Sequence, residues 1–321
     1  MEIFNHNSNF NFLGLRKFTV GLGIALMIAS VILVAVRGFN YGLDFTGGLS
    51  VQVAYTSPVE VADVRQALVN AHFEDAVVVP VGGANGLQIK LPIRVVDEAG
   101  ANLPADKRAD KVRDEILAAL KASRPDATVK DRSFVGAQVG EELRNDGYIA
   151  MIFVIIGIMG YLWIRFERRF AIAALATEVH DVLLTLGIFA LTRREFDLTV
   201  LASVLAVVGY SINDKVVVFD RVRELFRASR NASPEEVLNR SINSTLSRTI
   251  ITSLFTGITM AALYFIGGPV VHGFAITMLI GIVVGTLSSI FIASPILLWL
   301  GVSKKDLMPV TKDNPELARR P

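Results

Sequence analysis

Six long apolar stretches decide what this chain can fold into. They fall at about 18–36, 148–164, 170–192, 198–219, 249–266 and 271–300. A membrane-spanning helix needs about 20 mostly apolar residues, because ~1.5 Å of rise per residue must cross ~30 Å of hydrocarbon. All six qualify, and the first holds no charged residue. With 52% hydrophobic and 19% charged residues and a mean hydropathy of +0.49, a soluble globule is excluded. The expected class is a polytopic α-helical membrane protein with six transmembrane helices. The first stretch is too long for the apolar core of a signal peptide, and no small-residue cleavage site follows it. It reads as a retained signal-anchor.

Six spans place both termini on one side, and the basic residues say which. The segments on the terminal side carry fifteen: Arg16, Lys17, Arg165, Arg168, Arg169, Arg221, Arg223, Arg227, Arg230, Arg240, Lys304, Lys305, Lys312, Arg319 and Arg320. The opposite short loops carry two, Arg193 and Arg194. Both termini are therefore expected in the cytoplasm. The expected organisation is a cytoplasmic tail at 1–17, helix 1 at 18–36, a periplasmic domain at 37–147, helices 2–6 at 148–300 and a cytoplasmic tail at 301–321.

The 37–147 segment has soluble composition and a readable pattern. Residues 49–55 alternate as a strand. Ser57-Pro58-Val59-Glu60 has the form of a capping box opening a helix to about His72. Strands are expected at 76–81, 86–91 and 127–135. A helix is expected at 106–122, with Val112, Ile116, Leu117 and Leu120 inward. The order β-α-β-β-α-β predicts a small ferredoxin-like α+β domain, a fold that names no function. It reads as a binding or docking module. It shows no Ser/His/Asp arrangement, phosphate loop or acid pair, so no enzyme activity is expected.

The chain has no cysteine, hence no disulfide, thiolate metal site or thiol nucleophile. His6, His72, His180 and His272 are too scattered for metal-ligand spacing, and no metal or cofactor is expected. A net charge of +2 implies no nucleic-acid partner.

Polar groups inside the spans are expensive and need partners or a task. Span three holds Glu178, His180 and Asp181, with Asp181 near mid-bilayer. Glu178 and Asp181 share a face and His180 points elsewhere. Span four holds Ser211, Asn213, Asp214 and Lys215, of which Ser211, Asp214 and Lys215 share a face. Span five holds Ser247, Arg248, Thr249, Thr252, Ser253, Thr256 and Thr259. Asp214 and Arg248 both lie roughly 24–27 Å from the same end of their helices, a matched depth. An Asp214–Arg248 ion pair able to load and release a proton is one reading. A static salt bridge, or Arg248 snorkelling to headgroups, is the other. His180 serves a proton relay or an ordinary helix contact, and Glu178 faces a neighbouring helix or a subunit. The span-five hydroxyls also suit plain interhelical contacts. Gly281-x-x-x-Gly285 permits close helix packing. Residues 220–228 continue span four as an amphipathic helix, and Ser233-Pro234-Glu235-Glu236 starts another. Their basic surface suits anionic lipid or a cytoplasmic partner.

At this point the chain resembles a known family. Tyr41-Gly-Leu-Asp44-Phe-Thr-Gly47-Gly48 is similar to the Asp-Phe-Thr-Gly-Gly signature of SecD and SecF proteins, and Val135-Gly-Ala-Gln-Val-Gly140 to their second signature. Phe166-Glu-Arg-Arg-Phe170, His180-Asp181, Arg194-Glu-Phe-Asp-Leu198, Gly209-Tyr-Ser-Ile-Asn-Asp214, Val218-Phe-Asp-Arg221 and Ser241-Ile-Asn-Ser-Thr-Leu-Ser-Arg-Thr249 resemble SecF motifs in SecF order. The likeness runs from about residue 10 to about 305. It implies an inner-membrane subunit of the resistance-nodulation-division superfamily, paired with SecD and associated with SecYEG and often YajC. Such a subunit promotes preprotein translocation with the proton-motive force. The likeness makes Asp214 and Arg248 the intramembrane acid and arginine; Asn213, Asp181 and His180 are the further proton-coupling candidates, and Asp44, Gly47 and Gly48 form a structural motif. It assigns no role to Glu178 or Lys215. The alternative is a proton-coupled half-transporter of the same superfamily exporting lipids or small molecules. A third is an assembly scaffold that uses no protons. An intramembrane protease lacks its Ser/His or paired-Asp motif here.

Overall fold

The structure is a computed structural model and describes residues 10–99, 102–229 and 232–303. His6, Arg230 and the basic residues of the 304–321 tail lie outside the described residues.

Six helices are long and apolar enough to cross a membrane. They are built from α1 (Arg16–Arg37), α6 (Ala137–Arg165), α7 (Arg168–Thr192), α8 (Leu198–Ala228), α9 (Pro234–Ile266) and α10 (Pro269–Ser288). The last continues through a π-turn at Ser289–Ala293 into α11 (Ser294–Trp299). Between α1 and α6 come β1 (Asn40–Tyr41), α2 (Leu43–Thr46), β2 (Gly48–Ala54), α3 (Val61–Asn70), β3 (Val77–Pro80), β4 (Gly86–Pro92), α4 (Ile93–Glu98), α5 (Ala105–Ser123) and β5 (Thr128–Val135). A two-residue β6 (Glu195–Phe196) sits between α7 and α8.

The helices are not equally central. α7, α8 and α10 bury half or more of their apolar windows, whereas α1, α6 and α9 bury less than a fifth. Small residues set the close approaches. A Cβ on Gly187 would stand 2.2 Å from Ser30 Oγ of α1, and one on Gly285 would stand 2.7 Å from Ser211 Oγ of α8. The π-turn has a local cause. Pro295 has no N–H for the Phe291 carbonyl one turn back, and Thr19 Oγ1 of α1 donates to that oxygen instead, at 3.0 Å. At the charged end of the bundle, Phe166, Phe170 and Phe219 pack in contact at centroid distances of 5.5–6.2 Å.

The α/β unit is one antiparallel sheet in the order β3-β4-β2-β5. Leu49, Val51 and Val53 of β2 and Leu87, Ile89 and Leu91 of β4 alternate onto a single buried face. Val64 and Leu68 of α3 and Val112, Ile116 and Leu120 of α5 cover it, while Leu117 is only partly buried. Lys130 bulges from β5 where the pairing shifts at Gln52/Val53.

Two features depart from the sequence pattern. The Ser57 capping box does not form: α3 starts at Val61 behind Glu60, without a side-chain cap. Arg124 takes that segment, donating from Nη2 to Ser57 Oγ at 2.6 Å and from Nη1 to the Pro58 carbonyl at 3.1 Å. The Val59 amide meanwhile donates to the Ala84 carbonyl. α4 was not foreseen; it is six residues long and buries one side chain, Val96, too little for a periodic signal.

The unit joins the bundle through the Asp44-to-Gly48 motif. β1 pairs in parallel with β6, Asn40 opposite Glu195 and Tyr41 opposite Phe196. Asp44 Oδ2 accepts the Leu198 amide at 3.0 Å, and Asp197 Oδ1 accepts that of Val200 at 2.8 Å. Two carboxylates thus meet the positive end of α8. Lys90 of β4 forms an ion pair with Glu195. Gly47 and Gly48 turn the chain into the sheet at φ 71° and 147°, and a Cβ on Gly48 would meet the Leu91 carbonyl at 2.3 Å.

Asp126 fixes the start of β5. It takes 3.0 and 3.2 Å bonds from Arg124, 2.7 Å from the Thr56 hydroxyl and 3.0 Å from the Thr56 amide. The Arg124 guanidinium, then Thr56, holds its carboxyl well below the usual carboxylate range. A carboxyl lowered on folding contributes stability above its unfolded value near ~3.9 and loses it as pH falls through the folded value. Amide exchange at Thr56 and the β5 start should therefore accelerate below pH ~4. Asp126→Asn should exchange faster already at neutral pH and lack the acid step. Identical acid profiles would contradict this assignment.

Candidate functional site

The polar side chains of α7, α8 and α10 converge on one buried cluster. Lys215 has no exposed surface. Its ammonium donates to Glu178 Oε2 at 2.7 Å, Asp181 Oδ2 at 2.8 Å and Ser211 Oγ at 2.8 Å. Three donors meet three acceptors. Asp181 Oδ2 also accepts from Ser211 Oγ at 2.7 Å and from Ser288 Oγ at 2.6 Å. Asp181 Oδ1 lies 2.9 Å from His180 Nδ1. Ser211 thus accepts from Lys215 and passes its own proton toward Asp181.

Helical spacing explains the arrangement. Glu178 and Asp181 are three apart, and Ser211 and Lys215 four apart, so each pair presents one face. Gly285 lets α10 approach Ser211, and Ser288, one turn on, then reaches Asp181. An ion at the bilayer centre costs about 2.5–3.5 kcal/mol by insertion measures. Close pairing with full hydrogen bonding is the arrangement that offsets it.

Not every side chain is satisfied. Glu178 Oε1, His180 Nε2 and Asp214 Oδ2 are buried without a hydrogen-bond partner. Asp214 precedes Lys215 by one residue and so projects about 100° around α8 from it.

Three expectations are corrected. Among the described residues Asp214 and Arg248 form no ion pair within 4 Å, although Arg248 lies within Coulombic range. Thr245 and Thr249 take the buried face of α9, which turns the neighbouring Arg248 to the exposed face. The charge that does bind a carboxylate here is Lys215. His180 does not point away; its ring reaches back to the adjacent Asp181. The α9 hydroxyls are mostly not interhelical: Thr252, Thr256 and Thr259 donate to carbonyls of their own helix. Ser253 does cross, 2.7 Å from Thr286 Oγ1 and 3.3 Å from Tyr210 Oη. Asn213 is exposed on α8.

Ser288 was missed. Its spacing of seven and three from Gly281 and Gly285 puts it on the same helix face, the one signal that points to it. Among the described residues no three His, Asp or Glu side chains gather as metal ligands; the cation of the cluster is Lys215 itself.

A six-helix bundle with an ionic core, carrying one α/β unit after its first helix and pinned to it by a carboxylate-capped helix start, defines a class of multi-pass membrane protein. The chain matches the family Protein export membrane protein SecD/SecF, C-terminal, over residues 115–303, and the SecD/SecF GG Motif over residues 32–59. The Protein translocase subunit SecF of Pseudomonas aeruginosa is 41% identical over 93% of this chain and 94% of that one. That of Escherichia coli O157:H7 is 37% identical over 96% and 93%. The crystal structure of SecDF, a translocon-associated membrane protein from Thermus thermophilus, superposes with a TM-score of 0.79 at 35% identity. It covers 92% of this chain, which spans 39% of that longer one. The chain belongs to the SecF branch of the SecD/SecF family.

The close approach of α8 and α10 holds the cluster together. Gly285→Leu should drive Ser211 and Ser288 apart and cost about 1–3 kcal/mol. A lowered unfolding temperature of the purified protein, with a smaller loss for Gly285→Ala, would show it.

Proposed function

We propose that this chain is a protein translocase subunit that couples the proton-motive force to preprotein export together with SecD, at the SecYEG channel and with YajC as a further associate. The observation that carries this is Asp214. It is a buried carboxylate with an unpartnered oxygen at membrane depth, with Arg248 in Coulombic range and Asn213 exposed on the same helix. A buried carboxylate at that depth needs a partner or a task, and so do the exposed Arg248 and Asn213 beside it. A second membrane protein covering this face supplies both, and SecD is that partner in this reading.

The proton arrives at Asp214 and changes its attraction for Arg248. α8 is then biased between two positions, as a protonation switch requires. α8 begins at the Asp44 cap, so its movement reaches the α/β unit. We assign that unit, residues 37–147, to the periplasm as a ferredoxin-like domain that holds and releases the emerging preprotein. The strand order and the β-α-β-β-α-β succession support the fold. Both termini, 1–17 and 301–321, and the charged ends of α8 and α9 face the cytoplasm, supported by the basic-residue asymmetry. Residues 148–300 form the remaining membrane helices. Asp181 and His180 lie on α7, where Asp181 meets Ser211 and Lys215 of α8.

The test is late-stage translocation into inverted vesicles carrying this chain with SecD, with and without a proton gradient. Wild type should be accelerated by the gradient. Asp214→Asn should lose that acceleration while still assembling. Equal acceleration of both would remove Asp214 from the coupling machinery.

A further inference from the structure

The cluster holds two carboxylates that differ in one respect. Every oxygen of the Asp181 carboxylate is met by a neighbouring group: Oδ2 by Lys215, Ser211 and Ser288, and Oδ1 by His180. Glu178 has one bond, to Lys215, and its Oε1 has none.

The directions of the protons sharpen the contrast. An ammonium has no lone pair, so Lys215 only donates. Ser211 accepts from Lys215, which leaves its single proton for Asp181. The Ser288 hydroxyl has two acceptors in reach, the Gly285 carbonyl at 3.0 Å and Asp181 at 2.6 Å, and the charged one is nearer. A proton on Asp181 Oδ2 would enter a site already filled by three donors. A proton on Glu178 Oε1 displaces nothing.

We propose that Lys215 is a built-in counter-cation that holds Asp181 as a fixed anion, making Asp181 an anchor of the α7–α8–α10 seam rather than a carrier of the exchanged proton. Exchange is left to the carboxylates with an open oxygen, Asp214 and Glu178. This deepens the proton-coupling reading and rests on it for its functional meaning. Lys215 is a positioning residue in this scheme.

The surroundings are complete enough to assign the roles. Facing the pair are Glu178 and His180 from α7 and Asp214 from α8; from α9 comes Arg248, whose side chain is exposed. Among the described residues, 18–36 of α1, the 273–288 part of α10 and the π-turn contribute no charged or titratable side chain. His272 is 16 residues from Ser288, roughly 24 Å along the helix. Among the described residues Lys215 is thus the one buried lysine or arginine bonded to Asp181. With both ionised the pair is neutral, and a proton on Glu178 makes the whole triad neutral.

Infrared difference spectra on acidification read carboxyl protonation directly, in bilayers holding this chain with SecD. The protonated-carboxyl band of wild type should shrink in Asp214→Asn and in Glu178→Gln and keep its full intensity in Asp181→Asn. Lys215→Met should add a new protonated-carboxyl band, and Lys215→Met with Asp181→Asn should abolish that band. The double variant removes both members of a neutral pair, so the net charge of the site is unchanged, whereas Lys215→Met alone alters it. Loss of wild-type band intensity in Asp181→Asn overturns the proposal. So does a Lys215→Met protein whose acid titration matches wild type with no added band; where that protein does not fold, the Asp181→Asn comparison alone decides. The spectra do not depend on export: if Asp214→Asn keeps its gradient acceleration, the coupling reading fails while the charge state of Asp181 is still decided.

Discussion

The buried ammonium of Lys215 between Asp181 and Glu178 is the contact on which the membrane half depends. Taking three ions out of water is costly, and only tight, fully hydrogen-bonded pairing offsets it. That requirement dictates the packing around it. α8 must present Ser211 and Lys215 on one face, and α7 must present Glu178 and Asp181 opposite. α10 must come close enough for Ser288 to reach Asp181, which a residue larger than glycine at 285 obstructs. The three helices that share the cluster are also the three most buried in the bundle. In lipid, where helices gain little from hiding apolar surface against one another, polar contacts and small-residue packing are what select one arrangement.

The same helix that carries Lys215 begins at the joint with the α/β unit. Asp44 of α2 and Asp197 both accept amides at the start of α8, and Lys215 lies 17 residues along, about 26 Å away. A helix of that length transmits an axial shift or rotation with little loss. The joint is reinforced on all sides. β1 pairs with β6, Lys90 with Glu195, and Arg193 Nη1 donates to the Arg37 carbonyl at 2.7 Å. Phe39, Phe45 and Phe196 stack across it. Tilting the α/β unit therefore acts on the end of α8, and moving α8 acts on the unit. The glycines at 47 and 48 leave no room for a side chain at this point of closest approach.

Most of the architecture was legible because length and periodicity encode it. The six helices, the alternating strands β2 and β4 and the buried stripe of α5 rest on patterns many residues long. The Ser233 capping box was legible as well: Ser233 accepts from Glu236 and Glu236 reaches back to Ser233. The identical logic failed at Ser57, because Arg124, 67 residues away in sequence, claims that hydroxyl. Local signals lose to tertiary partners that no window contains. The site shows the same division. Helical spacing gave the Glu178/Asp181 and Ser211/Lys215 faces, but it also put Asp214 on the second, and Asp214 makes no hydrogen bond within the cluster. Depth gave the level of Asp214 and Arg248 but not their rotation, and rotation is what turns Arg248 outward. The contact between His180 and Asp181 depends on a side-chain rotamer, and Ser288 on how near α10 lies to α8; neither is a property of one helix.

The unfinished parts of the site share one direction of argument. Within the cluster, donors and acceptors nearly balance, and what is left over is a single oxygen on Glu178 and one ring nitrogen on His180. Outside it, Asp214 keeps an unpartnered oxygen, Arg248 and Asn213 are exposed, and α9 buries little of its apolar window. A chain folding alone in lipid has no reason to keep a buried acid with an unpartnered oxygen, or to expose a guanidinium and an amide nearby, since each costs free energy there. A chain that shares this face with a second membrane protein does, because the cost is then offset across the interface. That the solved relatives of the SecDF kind extend well beyond the part this chain matches is consistent with such a second half. The satisfied ions thus serve the fold of this subunit, and the unsatisfied ones are left for what lies beyond its own hydrogen bonds.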